Sequence, residues 1–440
     1  MLTLTKANAL SLHLKQKLEP FSINKLAIEI GFIKRKPKKI DPLNLLVSQF
    51  VLSLTNGNSL SAIAEALGLI KNTRVSKQAI DKRINPIWVE FLKTILAKIL
   101  SQCVHTRKRL SDCSVGLIFK RILIQDSTHI SLGSKLALYY PGSKNGTGKS
   151  KAIMKIQSVY NVLTECFLQF DISPFTKNDQ CASQDIVNLI QPGDLIIRDL
   201  GYFVLSVLKK INNASAYFLS RLKYCVDIFE ADGITPFDLS NRLKDNAYLD
   251  TNVCLGKKEK FPVRIVTVPV PDEIAAERRR KSKKNRDRRL CPSKEHLFLL
   301  GWNIFITNAT SKILSVNQIS LLYKLRWRIE IVFKSWKSHF HITNVPKASL
   351  VRVQAYIYAI LIFITIFQTH VFIRLYNKLF RRNQNQLSLF KMTKFFKEQI
   401  WAIIFFFLKP KRLEEQIFYH CSYVTRKNKS TYPQLVMELS

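Results

Sequence analysis

The chain has 440 residues, of which 69 are Lys or Arg and 31 Asp or Glu, a formal net charge of +38. At 47% hydrophobic and 11% aromatic it is too apolar for a disordered chain, and with 13 Gly and 15 Pro it is neither collagenous nor low-complexity. Its length allows two or three domains with sizeable cores, and an excess of positive charge this large points to a polyanion, nucleic acid before a membrane surface.

Eight cysteines, at 103, 113, 166, 181, 225, 254, 291 and 421, include no CxxC pair. They read as scattered reduced thiols of a cytoplasmic protein, with no zinc ribbon. The first twenty residues lack the apolar core and cleavage site of a signal peptide. The longest largely apolar run, Ala355–Phe367, is 13 residues, short of the roughly 18 that span a bilayer. It predicts a buried core helix and no membrane partner.

Residues 1–112 read as helical. Apolar residues recur at three- and four-residue spacing in Leu43–Leu54 and Ile87–Leu100. Between them lie SLSAIAEALG (Ser59–Gly68) and VSKQAIDKRI (Val75–Ile84), a helix-turn-helix-like pair with a long link. The second helix carries Lys77, Gln78, Lys82 and Arg83, types that reach base edges and phosphates. Two ordinary helices of a bundle would also fit.

From about 113 the period shortens. GLIFKRILIQD (Gly116–Asp126) reads as a strand ending in Asp126. Ala152–Thr164 and Cys166–Phe175 read as paired strands, Asp179–Ile190 as a helix, and PGDLIIRDLGYF (Pro192–Phe203) as a turn and a strand ending in Asp199. This order predicts an α/β fold with a mixed sheet. Residues 221–295 break it with short strand-like pieces and a basic run, Arg278–Arg289, holding nine Lys or Arg in twelve. Arg279 and Arg280 fall in what reads as a solvated, phosphate-binding arm. His296–Asn308 reads as a strand. A helix follows from the capping box Ser315/Gln318 to about Phe340, and 351–440 reads as apolar and helical.

On that helix Tyr323, Arg326, Glu330 and Lys337 fall on one stripe, within about 60° of one another at 100° per residue. Arg326 and Glu330 alone could be an ordinary i,i+4 pair. Leu322, Leu325, Ile329 and Phe333 make the apolar face and Trp327 and Trp336 flank the stripe, which suggests the floor of a site. Aspartate is poor inside strands, so Asp126 and Asp199 could merely mark strand exits. Two such exits in one sheet with a helix glutamate also make a three-carboxylate set. Such a set can hold two Mg²⁺ ions about 3.5–4 Å apart across a phosphodiester. Asp171 competes for the same role.

Tyr323-x2-Arg326-x3-Glu330-x6-Lys337 resembles the YREK signature of DDE transposases of the bacterial insertion-sequence-four type. RDLGYF (Arg198–Phe203) is similar to that family's second-aspartate motif and QDST (Gln125–Thr128) to its first; the resemblance covers about residues 40 to 350. It implies an RNase H-like catalytic domain over 113–350, interrupted by a mostly β insertion at about 221–295. Asp126, Asp199 and Glu330 would be the DDE triad that binds Mg²⁺, with Mn²⁺ able to substitute. Tyr323, Arg326 and Lys337 would grip phosphates, and Trp302 would either stack a flipped base, as in members that cut through a hairpin, or simply pack a strand face. The partners would be double-stranded DNA (terminal repeats and target) and a second copy in a homodimer, with 351–440 a possible interface. The protein would work at the nucleoid. The competing function is a non-enzymatic or decayed DNA-binding protein. NGTGKS (Asn145–Ser150) has Ser143 where a Walker loop needs glycine, so no nucleotide is expected. His339 and His341 read as polar surface or DNA contacts, and His129 as structural.

Overall fold

The computed structural model describes residues 23–103 apart from 36 and 38, then 114–144, 150–284, 292–383, 386–404 and 410–423, with a few positions between 431 and 439. Residues 145–149 of NGTGKS and 285–289 of the basic run lie outside them.

The N-terminal part is helical because its apolar residues repeat at helical spacing and its caps are polar. Pro42–Leu54 is buried on nearly every side, and Pro86–Cys103 buries one apolar face. Ser59 caps Leu60–Lys71 by accepting from Ala62 N, and Ser76 caps Lys77–Arg83 by accepting from Ala79 N. Asn72, in the left-handed conformation at φ 50°, ends the first of this pair.

The rest is built on a mixed sheet of ten strands, the RNase H-like arrangement expected. The strands are β1 Arg121–Ser131, β2 Pro141–Lys144, β3 Ser150–Asn161, β4 Cys166–Pro174, β5 Asp194–Arg198, β6 Tyr217–Arg221, β7 Ile228–Phe229, β8 Leu249–Leu255, β9 Phe261–Pro269 and β10 Trp302–Thr307. β1 lies between β3, antiparallel, and β5, parallel; β5 in turn pairs parallel with β6. β10 then joins β6 antiparallel and carries β9, β8 and β7 outward. Between β6 and β10 the described residues also form the helices Leu239–Lys244, Asp272–Lys283 and Lys294–Leu299.

Two cores sandwich the sheet. Ile122, Ile124, Leu195 and Ile197 face one core, with Ile329, Val332 and Trp336 of the helix Trp327–Ser338. Leu123, Ile196 and Phe218 face the other, with Val207 and Leu208. The alternation along β1 and β5 is that of strands buried on both faces.

Four local expectations are corrected. Residues 114–118 are helical, so β1 begins only at Arg121, where the Arg121–Asp194 ion pair anchors it to β5 at 2.5 Å. Asp126 is not a strand exit, because pairing with β3 continues through Ser131. It is instead the first residue past the last parallel pair, Gln125↔Arg198, as Asp199 is on the other strand. Residues 294–299 are helical, capped by Ser293, and only 302–307 are strand. The basic run is helical as far as Lys283, its acidic first turn (Asp272, Glu273) and basic last turn matching the helix dipole.

The helix expected over 315–340 is two, Val316–Leu325 and Trp327–Ser338, meeting at Arg326. There the bonds tighten to i→i−3, Arg326 N to Tyr323 O and Ile329 N to Arg326 O. The Ser315/Gln318 capping box is present. Leu350–Phe380 forms one 31-residue helical stretch with a π-helical turn at Phe367–Phe372, longer than its apolar run suggested. By length and composition it could cross a bilayer, but 72% of its most apolar window is buried inside the protein.

Candidate active site

Three elements converge where the β1–β5 pairing stops. β1 brings Asp126 to the sheet face covered by the helix Trp327–Ser338. The turn after β5 brings Asp199, whose Oδ2 accepts from Gly201 N at 3.5 Å. The first turn of the helix brings Glu330. One guanidinium stands among the three carboxylates. Arg326 Nη2 lies 2.9 Å from Glu330 Oε1, Nη1 3.7 Å from Asp126 Oδ2 and Nε 3.6 Å from Asp199 Oδ1. The Arg326 side chain, at the junction of the two helices, is largely buried, and its Nε has no hydrogen-bond partner.

The electrostatics are unbalanced. One cation faces three carboxylates in a half-buried site. Burial raises the Asp126 carboxyl, against the Ser127 N–H and Arg326 and with help from Asp199 and Glu330, up to about 7. Burial opposes the charge of Arg326 too, yet the three carboxylates and Tyr323 hold its affinity for the proton above the usual guanidinium value. Tyr323 is half-buried against Phe305, with ring centroids 5.1 Å apart, and burial pushes its phenol up to about 12. The Arg326 guanidinium lies 5.4 Å from the centre of the Trp327 ring, which is 59% exposed. Lys337 is half-buried and lowered by burial.

The donor set suits a hard divalent cation: oxygen ligands, an excess of negative charge, and a cation already standing among them as a stand-in. As the side chains stand, no group of three His, Cys, Asp or Glu among the described residues could hold a metal ion.

The other residues singled out in the sequence lie in several places. Asp171 takes no part in this cluster; it pairs with Lys177 at 3.1 Å. Trp302 begins β10, half-buried, and lines a cavity of about 810 Å³ with Leu200, Arg221, Tyr224, His296 and Phe298. Lys77 and Gln78 are exposed on the second helix of the N-terminal pair. Arg83 is engaged within the chain, donating to Phe32 O at 3.4 Å. Arg279 donates to Leu297 O at 3.0 Å, while Arg280 is exposed. His339 is buried, contrary to a surface reading, because the helix Leu389–Ile404 packs over it and sets Phe390 4.5 Å from its ring.

Sequence reasoning missed the polar groups behind the carboxylates. Arg198 is fully buried and its Nη2 donates to Gln125 Oε1 at 2.7 Å and to Ser183 O at 2.8 Å. Asp179 accepts from Ser127, Lys155 and Gln157. The available signal was that Gln125 and Arg198, polar residues in otherwise apolar strands, each precede a candidate aspartate.

Comparison with known proteins identifies the family. The family described as the transposase DDE domain matches residues 118–366, which include all three carboxylates and Arg326. The chain is 30% identical over 431 residues to the transposase for insertion sequence element IS231D of Bacillus thuringiensis subsp. finitimus, covering 93% of this chain and 89% of that one. It is 29% identical over 394 residues to the transposase for IS231B of Bacillus thuringiensis subsp. berliner, covering 85% and 82%. It is also 29% identical over 387 residues to the transposase for IS1151 of Clostridium perfringens, covering 83% and 81%. The chain belongs to the DDE transposases of bacterial insertion sequences.

Proposed function

We propose that this transposase performs divalent-metal-dependent cut-and-paste transposition, with Asp126, Asp199 and Glu330 as the catalytic, metal-holding triad. The observation that carries the reading is the meeting of these three carboxylates on one guanidinium. Mg²⁺, or Mn²⁺ in its place, would supply Lewis-acid activation of the attacking oxygen and charge neutralisation at the phosphodiester. The carboxylates supply the fixed negative charge. Arg326, released from them as the site fills, turns to a DNA phosphate, and Tyr323 and Lys337 on the same stripe hold neighbouring phosphates. Their part is to position the scissile bond and neutralise charge. Water cuts at the element end, and the freed 3′-hydroxyl attacks the second strand or the target.

The partner is double-stranded DNA, terminal repeats and target, consistent with the charge of +38. Lys77 and Gln78 read the repeat, with Arg83 bracing their helix. Arg280 and, after release from its backbone contact, Arg279 bind phosphates, and Trp302 stacks a base at the cavity. Two copies act together on paired ends, with the C-terminal helices as the interface, in the bacterial cytoplasm at the nucleoid.

The test is a cleavage assay on the DNA flanking the protein's own reading frame, comparing wild type with Glu330→Gln in Mg²⁺ and in EDTA. Nicking at the element ends that needs the metal and is lost in the variant supports the triad. Equal binding by both proteins with no cutting by either returns the chain to a DNA-binding role.

A further inference from the structure

Beneath Asp126 and Asp199, on the opposite face of the sheet, apolar packing gives way to a polar layer. Three donors converge on one oxygen, Asp179 Oδ1: Ser127 Oγ at 3.1 Å, Gln157 Nε2 at 3.1 Å and Lys155 Nζ at 3.2 Å. Ser127 is the neighbour of Asp126. Gln157 passes the connection on, because its Oε1 accepts from the Tyr202 hydroxyl. Tyr202 is buried in the turn that Asp199 begins. The same turn also passes close to Asp179: a Cβ on Gly201 would stand 3.3 Å from Asp179 Oδ2 and 3.8 Å from Asp199 Oδ2. Asp179 is thereby tied to both candidate aspartates through short hydrogen-bonded links, one along β1 and one through β3.

Local structure does not account for this. The short helix Asp179–Ala182 is already capped by Asn178, whose Oδ1 accepts from Cys181 N at 2.8 Å. The carboxylate of Asp179 points at side chains instead. Lys155, Gln157 and Tyr202 are all more than nine-tenths buried, so water offers them little alternative. A satisfied polar network in such a place fixes one arrangement of the groups attached to it.

We propose that Asp179 is a positioning residue for the reaction, setting where Asp126 and Asp199 stand relative to one another. The proposal rests on the reading of those two as metal-holding carboxylates. Asp179 touches no reacting atom and holds no metal in this scheme; it acts through Ser127 on one side and through Gln157 and Tyr202 on the other.

The test is Mn²⁺ binding by the full chain without DNA, followed by electron paramagnetic resonance at a temperature where circular dichroism finds each variant folded. Asp179→Ala is expected to weaken Mn²⁺ binding by about 10- to 100-fold, and to lower kcat for end cleavage while KM for the DNA stays near wild type. Asp179→Asn, which keeps an acceptor oxygen for Ser127 and Gln157, is expected to recover part of that affinity. Asp250→Asn, which breaks the distant Arg264 ion pair, serves as a comparably destabilised control with wild-type affinity. Wild-type affinity in Asp179→Ala overturns the proposal, as does an equal loss in Asp250→Asn. Should Asp179→Ala fail to fold, Gln157→Leu decides: about tenfold weaker binding supports the link and unchanged binding overturns it. Asp126→Asn separates the two readings. If it leaves Mn²⁺ binding intact, the metal site and the positioning role fall together; if it abolishes binding and Asp179→Ala does not, only the positioning role falls.

Discussion

Gln125 and Arg198 face each other in the last register of the parallel β1–β5 ladder, and Arg198 Nη2 donates to Gln125 Oε1 at 2.7 Å. Each immediately precedes an aspartate of the candidate triad. Strand alternation turns this pair to one face of the sheet and Asp126 to the other. Burial lowers the Arg198 guanidinium to about 10, and its Nε and Nη1 have no partner. Gln125→Leu removes one of the few acceptors this buried cation has. It is expected to cost about 1–3 kcal/mol in urea unfolding, where a surface Gln→Leu would change little.

Glu165 and Arg328 form a buried ion pair, Nη2 to Oε1 at 2.9 Å, that ties the β3–β4 turn to the helix bearing Glu330. Glu165→Gln removes the carboxylate that balances a buried guanidinium. The expected loss is about 3–5 kcal/mol of unfolding free energy. Replacing both residues with apolar ones of similar size is expected to cost less than either single change, which a double-mutant cycle in urea checks.

The raised Asp126 carboxyl gives the metal-free protein a defined pH response. An unfolded aspartate ionises near 3.8, whereas this one holds its proton to about 7. Ionising it therefore costs folded-state stability: the penalty is absent below the unfolded value, grows as pH rises between the two and is complete above about 7. Asp126→Asn removes it. In EDTA the variant is expected to melt several degrees above wild type at pH 8 and close to wild type at pH 4, by circular dichroism.

Divalent metal should change the sign of that comparison. A ligand that binds only the folded state stabilises it by about 2.7 kcal/mol at one hundred times its Kd. Saturating Mn²⁺ is expected to raise the Tm of wild type and to leave Glu330→Gln and Asp126→Asn nearly unmoved. EDTA should reverse the gain.

Lys77 stands exposed on a helix of seven residues. As a phosphate contact, Lys77→Ala should weaken binding to all duplex sequences and reduce the slope of log K against log salt by about one. Gln78→Ala should instead narrow the difference between the terminal repeat and unrelated DNA.

The sequence made the stripe of Tyr323, Arg326 and Glu330 legible because helical spacing fixes which residues share a face. It made β5 legible because a short apolar run between a turn and an aspartate has few other readings. It could not reveal that Asp126 lies mid-strand, since that depends on how far β3 accompanies β1, a pairing between residues about thirty apart. The helix break at Arg326 was hidden for a related reason: no Pro or Gly marks it. Arg83 and Arg279 looked like free cations because their backbone acceptors, Phe32 O and Leu297 O, are 51 and 18 residues away.

After β6 the chain builds β7, β8 and β9 at the far edge of the sheet and returns as β10 in the position next to β6, so its long excursion costs the sheet no continuity. Asp126 and Trp302 therefore belong to one hydrogen-bonded plate, on strands three steps apart with β5 and β6 between them. The span from Asp126 to the cavity wall is therefore a matter of strand pairing. A one-residue insertion in β10 would turn Trp302 to the opposite face of the sheet and take it out of the cavity wall, while Asp126 stayed in place.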